Sequence, residues 1–261
     1  MEEVKIFKIG GKVIDQEPLL IEFLQDFVNI PGKKILVHGG GKIASEFSQR
    51  MGIEAKMVNG RRVTDEQTLE IVTMVYGGLL NKKIVAALQK IDCNALGLTG
   101  ADLNVIKAHR RPANPVDYGL VGEVDEVNNA MLSVLLEQDI VPVMAPLTHD
   151  KQGQMFNTNA DTIASGVAKA LAKKYTVNLY YCFEKKGVLM DAENDDSVIN
   201  LIKESEFAHL CEQKIVNEGM IPKLENAFAC LNEGVGRVYI CHFSAIKNLT
   251  GIDQEATLIS R

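Results

Sequence analysis

The stretch Ile35-Leu36-Val37-His38-Gly39-Gly40-Gly41-Lys42 joins a short apolar run to consecutive glycines and then to residues of helical period. A short apolar run bounded by glycine is typical of a buried strand, and the glycines mark a turn that leads into a helix. Parallel sheets are built from strands that pass into helices in this way. The stretch therefore predicts an α/β fold.

The same alternation of Val- and Ile-rich runs with helical stretches continues along the chain, which predicts a mostly parallel sheet covered by helices. Strands are predicted at Val4 to Ile9, Lys34 to Val37, Ala95 to Leu98, Ile140 to Ala145, Thr176 to Cys182, Arg237 to Cys241 and Thr257 to Ile259. Helices are predicted at Glu17 to Asn29, Lys42 to Met51, Asp65 to Ile91 (either one helix or two that meet near Gly77-Gly78), Asn128 to Gln138, Asp161 to Lys173, Glu204 to Glu212 and Pro222 to Asn232. The segment from Lys107 to Val124 is expected to leave the sheet as a hairpin or lid.

The composition is that of a globular, mildly acidic chain. Its 28 Lys and Arg residues stand against 34 Asp and Glu, a formal charge of −6, and 46% of its residues are hydrophobic. Such a chain lacks the basic excess that binds nucleic acid, and no run is expected to reach the roughly 18 to 20 apolar residues that span a bilayer. The cysteines lack short ligand spacings and are expected to be reduced thiols. We expect a cytoplasmic protein that binds neither nucleic acid nor membranes.

Two glycine turns follow predicted strands, at the edge of a parallel sheet where ligands bind. Lys8 ends the first strand just before Gly10 and Gly11, so that a cation lies beside exposed backbone N–H groups. The turn from His38 to Lys42 opens a helix, whose N-terminal N–H groups and dipole attract anions. Each turn can equally be a plain strand-to-helix connection, but the second favours an anion site.

Neither of two familiar nucleotide motifs fits the second turn. Ile43 follows Lys42 where a Walker A sequence requires Ser or Thr, and the glycine spacing is also wrong. Gly39, Gly41 and Ala44 match a degenerate dinucleotide fingerprint, but no acidic residue ends a second strand about 20 residues later. Nicotinamide binding is therefore disfavoured.

A polar segment, Asn157-Thr158-Asn159-Ala160-Asp161, precedes an apolar helix. Capping by Asn159 explains part of it, but a cap does not need two asparagines and an aspartate. Lys223 stands in the first turn of another predicted helix, where the dipole disfavours a cation and an anionic partner is needed. If Lys8 and Lys223 converge on one anion, with an aspartate to orient them, the chemistry indicated is phosphoryl transfer.

Five segments carry a resemblance to a known family. In chain order they are Lys8-x-Gly10-Gly11, His38-Gly39-Gly40-Gly41, Asn59-Gly60-Arg61-Arg62-Val63-Thr64, Asn157-x-Asn159-Ala160-Asp161 and Gly219-Met220-x-x-Lys223. In order and approximate separation they resemble the amino acid kinase family, and within it the members that phosphorylate N-acetyl-L-glutamate. The resemblance implies a three-layer αβα sandwich with an open, mostly parallel sheet of about eight strands. It also implies a single domain, with an acylglutamate-binding lobe at 1–174 and an ATP-binding lobe at 175–261.

The resemblance also implies residue roles. Lys8 and Lys223 would stabilise the transferring phosphoryl group, and Asp161 would hold both lysines. The residues that would bind the acylglutamate are Gly40, Gly41, Arg62, Asn157 and Asn159. The residues that would bind ATP and its phosphoryl group are Gly10, Gly11, Glu184, Gly187, Gly219 and Met220.

The implied reaction transfers a phosphoryl group from ATP to the γ-carboxylate of N-acetyl-L-glutamate, which gives N-acetyl-L-glutamyl 5-phosphate in arginine biosynthesis. No general base is needed because the carboxylate is already ionised near neutral pH. Mg²⁺ would ride on the nucleotide phosphates without a protein metal site. Since only Met1 to Glu3 precede the first predicted strand, whereas arginine-inhibited hexamers carry an extra N-terminal helix, the expectation is an arginine-insensitive homodimer.

Departures from the family pattern leave two alternatives. Leu103 stands where the lid loop usually has glycine, so N-succinyl-L-glutamate is an alternative substrate. Phe183-Glu184-Lys185-Lys186 replaces the usual Ser/Thr-Asp-Val, which affects the expected ATP contacts. A non-catalytic sensing module of the same fold is the other alternative, although sensing alone would not require both lysines and Asp161.

Overall fold

The structure is a computed structural model that describes residues 1–191, 193–213, 215–216 and 220–261. Its strands are β1 (Glu3–Ile9), β2 (Lys33–His38), β3 (Met57–Val58), β4 (Arg61–Arg62), β5 (Ala95–Leu98), β6 (Ile106–Arg110), β7 (Gly122–Val127), β8 (Val141–Met144), β9 (Leu147–His149), β10 (Met155–Asn157), β11 (Thr176–Phe183), β12 (Leu201–Lys203), β13 (Arg237–His242) and β14 (Ala256–Ser260). Its α-helices are α1 (Lys12–Asp15), α2 (Glu17–Asn29), α3 (Gly41–Arg50), α4 (Glu66–Val72), α5 (Asn81–Gln89), α6 (Asn129–Glu137), α7 (Ala160–Leu171), α8 (Glu204–Glu212) and α9 (Ile221–Asn232).

The central sheet has eight strands in the order β12-β14-β13-β11-β1-β2-β8-β5. Neighbouring strands run parallel except for the antiparallel pair β13 and β14. The predicted mostly parallel sheet is therefore confirmed. The strand that sequence analysis missed here is β12, which is only three residues long and lies at the sheet edge.

Side chains of β1 alternate between two cores, as the twofold repeat of a strand requires. Phe7 and Ile9 point to a core that includes Phe23 and Phe27 of α2, while Ile6 points to the opposite core. The second core is covered by α6, α7 and α9. Helices on both faces of the sheet confirm the three-layer sandwich.

A second sheet, in the order β10-β9-β6-β7, lies beside the main one. It contains the predicted hairpin, because β6 and β7 pair antiparallel across the segment that was expected to leave the sheet. The short strands β9 and β10 were not predicted. They join the hairpin to the segment that leads into α7, next to the cavity described below.

Of the two arrangements expected for residues 65–91, the structure has the single helix. A π-helical segment, Thr73–Leu80, joins α4 to α5 in one continuous helix. A Cβ on Gly77 would lie 3.3 Å from Leu147 Cδ1, so glycine serves close packing here instead of ending a helix. Segments of π-helix are commonly found at functional sites.

The same helix corrects a second expectation. By length and composition alone, Glu66–Gln89 is long and apolar enough to cross a membrane. Within the fold, Ile71, Val72, Val75 and Ile84 are buried in the core that includes Phe7. The apolar character of these residues is used in packing against the sheet.

Candidate active site

A cavity of about 570 Å³ opens at the carboxyl ends of β1 and β2. This is the sheet edge at which the glycine turns predicted a ligand site. The predicted residues on its lining are Lys8, Gly10, Gly11, Gly40, Gly41, Arg62, Asn157, Asn159 and Asp161. Residues that are far apart in sequence are thus brought to one cavity.

Two lysines share one carboxylate at this cavity. Lys8 Nζ lies 2.8 Å from Asp161 Oδ1, and Lys223 Nζ lies 3.0 Å from Asp161 Oδ2. The Asp161 side chain is only 10% exposed. Burial alone raises the pKa of this carboxyl group, but the charges of Lys8 and Lys223 outweigh that effect and hold its pKa at about 2. The aspartate is therefore ionised near neutral pH, and each lysine has its position set by one oxygen.

The start of α7 explains where Asp161 lies. Asn159 caps the helix, and its side-chain oxygen accepts hydrogen bonds from the Asp161 N–H at 2.7 Å and the Thr162 N–H at 3.3 Å. Within the helix, Ser165 Oγ donates to the Asp161 carbonyl at 2.8 Å and lies 2.7 Å from the Tyr181 hydroxyl. Sequence analysis named the cap but missed Ser165 and Tyr181, whose contact depends on how α7 packs on β11.

The glycine turns have the backbone geometry that the pattern suggested. Gly40 has φ of 144°, and a Cβ there would collide with the side chain of Leu80. Gly11 has φ of 53°, and its Cβ would lie 3.2 Å from Glu184 Oε2. A Cβ on Gly10 would come within 3.0 Å of Lys8 Nζ. Glycine therefore suits the backbone shape at Gly11 and Gly40, and a side chain at Gly10 would displace the Lys8 amine.

Arg62 has an unused donor in the cavity wall. The residue is 6% exposed, and its Nη2 donates to the Gly41 carbonyl at 2.8 Å and to Ser45 Oγ at 2.7 Å. Among the described residues, Nη1 finds no partner with hydrogen-bond geometry. A buried guanidinium with a free N–H fits an incoming carboxylate.

Asn157 is the other predicted polar residue on this wall. Its Nδ2 donates to Thr64 Oγ1 at 3.0 Å, and Thr64 Oγ1 in turn donates to the Arg62 carbonyl at 3.2 Å. The amide of Asn157 is thereby tied to the segment that carries Arg62. Thr64 was quoted as part of a motif but was not assigned a role.

The residues predicted to bind ATP lie in varied settings. Glu184 is exposed and stands against Gly11. Gly187 is buried. A Cβ there would lie 2.5 Å from Thr257 Oγ1, and this oxygen accepts a hydrogen bond from the Val188 N–H at 2.8 Å. Met220 precedes the first turn of α9. Gly219 lies outside the described residues, and the ATP contacts of all four stay predictions.

Sequence analysis missed several other residues of the cavity wall. They are Tyr76, Arg111, Gly122, Thr158, Glu225 and Asn226. Gly122 has a clear reason, because its Cβ would lie 2.5 Å from Thr158 Oγ1 and 2.7 Å from Thr148 Oγ1. These two buried hydroxyls are hydrogen-bonded to each other at 2.7 Å. For this group, the signal in the sequence was Gly122, which stands near the end of the predicted hairpin.

Cations and backbone N–H groups that face one cavity can stabilise the charge of a transferring phosphoryl group, so this arrangement is suited to phosphoryl transfer. Comparison with known proteins agrees with this class. Residues 3–242 match the amino acid kinase family. The chain is 56% identical over 250 residues to an acetylglutamate kinase of Phocaeicola vulgatus, with 96% of this chain and 97% of that protein covered. It is 54% identical over 260 residues to an acetylglutamate kinase of Bacteroides thetaiotaomicron, with 100% and 99% covered.

A solved structure has a similar fold. The crystal structure of smu.665 from Streptococcus mutans superposes with a TM-score of 0.81 at 29% identity and covers 98% of both chains. The chain belongs to the amino acid kinase family.

Proposed function

We propose that this chain phosphorylates the γ-carboxylate of N-acetyl-L-glutamate with ATP, giving N-acetyl-L-glutamyl 5-phosphate and ADP in arginine biosynthesis. The observation that carries the proposal is the pair of lysines on Asp161 at the cavity. Relatives named acetylglutamate kinase, matched over nearly their full length, support the acceptor.

The acceptor end of the cavity is suited to a dicarboxylate. The free N–H of Arg62 is proposed to bind the α-carboxylate, since a planar guanidinium pairs with a carboxylate in a defined orientation. Asn157 is proposed to lie beside the acyl amide. The γ-carboxylate would then lie near the N–H groups of Gly40 and Gly41, which line the same cavity.

The phosphoryl group is proposed to pass from ATP to this carboxylate, beside Lys8 and Lys223. A γ-carboxylate oxygen forms the new bond to phosphorus, and the bond to the bridging oxygen breaks with its electrons going to ADP. The ammonium groups stabilise charge on the transferring group, and ionised Asp161 holds them in place before the reaction begins. No proton has to be removed from the acceptor.

ATP is proposed to bind to the lobe at 175–261, with its terminal phosphates near Gly10 and Gly11. Mg²⁺, when bound, neutralises charge on the phosphates. Within the described parts of the chain, no three His, Cys, Asp or Glu side chains converge as a metal site. We therefore propose that the ion comes with the nucleotide. A homodimer, a cytoplasmic location and insensitivity to arginine stay predictions.

The experiment that tests the function is a coupled ADP-release assay with N-acetyl-, N-succinyl- and free L-glutamate. We expect turnover with N-acetyl-L-glutamate at the highest kcat/KM. The variant Arg62→Lys keeps the charge but loses the planar fork. It should raise KM for the acylglutamate about 10- to 100-fold and leave KM for ATP unchanged.

Three results would each count against a part of the proposal. Absence of ADP release with all three acceptors would refute the kinase activity. Preference for N-succinyl-L-glutamate would retain the reaction and change the acyl group. An unchanged acceptor KM in Arg62→Lys would remove the proposed role of Arg62 alone.

A further inference from the structure

A chain of buried polar groups runs behind the Gly39-Gly40 turn and is not explained by the assigned site. His38 and Asn81 are 0% and 1% exposed. Asn81 Nδ2 lies 3.2 Å from His38 Nε2, and His38 Nδ1 lies 2.8 Å from the Gly39 carbonyl oxygen. These contacts connect α5 to the backbone of Gly39, beside Gly40 of the cavity wall.

The direction of each hydrogen bond between Asn81, His38 and Gly39 follows from neighbouring groups that can only donate or only accept. Lys82 Nζ can only donate, and it lies 3.1 Å from Asn81 Oδ1. The Val143 carbonyl can only accept, and it lies 2.9 Å from Asn81 Nδ2. The amide orientation is thus determined, so Nδ2 donates to His38 Nε2, and the imidazole proton must be on Nδ1. Burial lowers the pKa of His38 to about 4, in agreement with a neutral ring.

The side chains around Asn81 and the glycine turn are closely packed. A Cβ on Gly97 of β5 would collide with the Asn81 amide, so glycine is needed there. Asn81 is the first residue of α5, directly after the π-helical segment. The same segment ends with Leu80, which packs where a Cβ of Gly40 would lie. The π-helical segment therefore places Leu80 against the glycine turn, and Asn81, which directly follows the segment, donates the hydrogen bond to His38.

The Gly39 carbonyl and the Gly40 N–H belong to one planar trans peptide and point in opposite directions. When His38 holds the carbonyl on one side, the N–H is directed to the other. The Gly39 N–H is also held, because it donates to the Ile9 carbonyl at 2.9 Å. The structure records no acceptor for the Gly40 N–H among the described residues, and Gly40 lines the cavity.

We propose that His38 and Asn81 are positioning residues, which hold the Gly39-Gly40 peptide so that the Gly40 N–H points at the reacting carboxylate. This inference rests on the proposed function. It adds a reason for a buried histidine and for the π-helical segment. The residues act through the backbone and do not touch the substrate.

Two variants of His38 separate this role from simple core packing. In His38→Asn the amide nitrogen takes the place of Nδ1 and can still donate to the Gly39 carbonyl, whereas the acceptor for Asn81 is lost. In His38→Gln the amide group takes the place of Nε2, so the contact with Asn81 is kept and the bond to Gly39 is lost. With N-acetyl-L-glutamate and ATP we expect His38→Gln to lower kcat about 10- to 100-fold, and His38→Asn to stay within about fivefold of wild type.

The order of the two variants decides the matter, provided that the wild-type chain is active. If His38 only fills the core, His38→Asn is the worse variant or both lose activity in proportion to their folded fraction, and the inference is overturned. An inactive wild-type chain would instead refute the proposed function. A third variant, Asn81→Ala, should add little to the effect of His38→Gln, because both break one chain of contacts.

A measurement on the wild-type protein keeps the inference testable if these variants fail to fold. Long-range ¹H–¹⁵N NMR of the imidazole nitrogens should show His38 as the Nδ1–H tautomer at neutral pH. The Nε2–H tautomer, or a charged ring, would overturn the proposed direction of the chain.

Discussion

A buried lysine and a partly buried lysine lie at opposite ends of the strands of the central sheet, and their partners differ. At the amino end of β2, Lys34 Nζ donates to the carbonyls of Val28 and Ile30 at 2.8 and 2.6 Å and lies 5.1 Å from the centre of the Phe27 ring. At the carboxyl end of β1, Lys8 pairs with the carboxylate of Asp161.

The difference teaches how to distinguish a structural cation from a functional one. Lys34 satisfies carbonyls at the end of α2, and burial lowers its pKa because no carboxylate compensates for the lost solvation. Both lysines line cavities, but Lys8 pairs with a carboxylate and shares it with a second lysine. Burial alone therefore does not indicate a catalytic lysine, and the carboxylate shared with Lys223 is what supports the role proposed for Lys8.

The largest expected effect comes from replacing each lysine by methionine. Lys8→Met should lower kcat about 100- to 1,000-fold, because it removes charge from the transferring group. It should also lower the free energy of unfolding by about 1–2 kcal/mol, because Asp161 loses one of its two lysine partners. Lys34→Met should leave kcat/KM unchanged and lower the free energy of unfolding by about 1–3 kcal/mol, because buried carbonyls lose their donor. Steady-state kinetics and urea unfolding measure both quantities. Equal loss of turnover in the two variants would break the comparison.

Glycines at the two edges offer a second test. Gly40 and Gly32 both have positive φ, of 144° and 82°. Alanine at Gly32 meets only Lys5 Nζ, at 3.9 Å, and should cost about 1 kcal/mol from backbone strain. Alanine at Gly40 also collides with Leu80 and should cost about 3 kcal/mol and lower kcat/KM.

Denaturant unfolding of both alanine variants, with kinetics at matched folded fraction, measures this difference. A Gly40→Ala variant as stable and active as Gly32→Ala would show that the carboxyl edge is no more constrained than the amino edge.

The smallest expected effect is a loss of folding stability at low pH. The pKa of Asp161 is about 2 in the folded chain, below its ordinary 3.8, so its stabilising contribution is present above pH 3.8 and is lost as the pH falls toward 2. The contribution is about 2 kcal/mol. The stability difference between wild type and Asp161→Asn should therefore shrink as the pH falls from about 4 to 2. Urea unfolding across this range measures it, and a constant difference would contradict the assigned pKa.

Much of the fold could be predicted because long, patterned elements carry their own signal. The strands of the central sheet and helices such as α2 and α7 were predicted from apolar period and caps. Short strands such as β9, β10 and β12 carry too few residues for a period to show. The π-helical segment was missed because Gly77-Gly78 resembles a helix end in sequence, whereas in the structure Gly77 packs against Leu147 within a continuous helix.

The site divides in the same way. Lys8 and Lys223 drew attention because each stands where a cation needs a partner, and the glycine turns because they follow strands. Ser165, Tyr181 and Asn81 gave no such signal, since each is an ordinary polar residue in a helix or strand. Their hydrogen bonds depend on how separate elements pack together.

The sequence by itself determined the α/β class, the ends of the strands where the cavity opens and the residues that carry charge there. Those properties follow from periodicity, glycine and charge, which act locally along the chain. Only the tertiary structure decided that both lysines meet on Asp161, that Arg62 keeps a free N–H and that His38 and Asn81 stand behind the glycine turn. These contacts join residues tens to hundreds of positions apart, and only the packing of helices against both faces of the sheet brings them within hydrogen-bond distance.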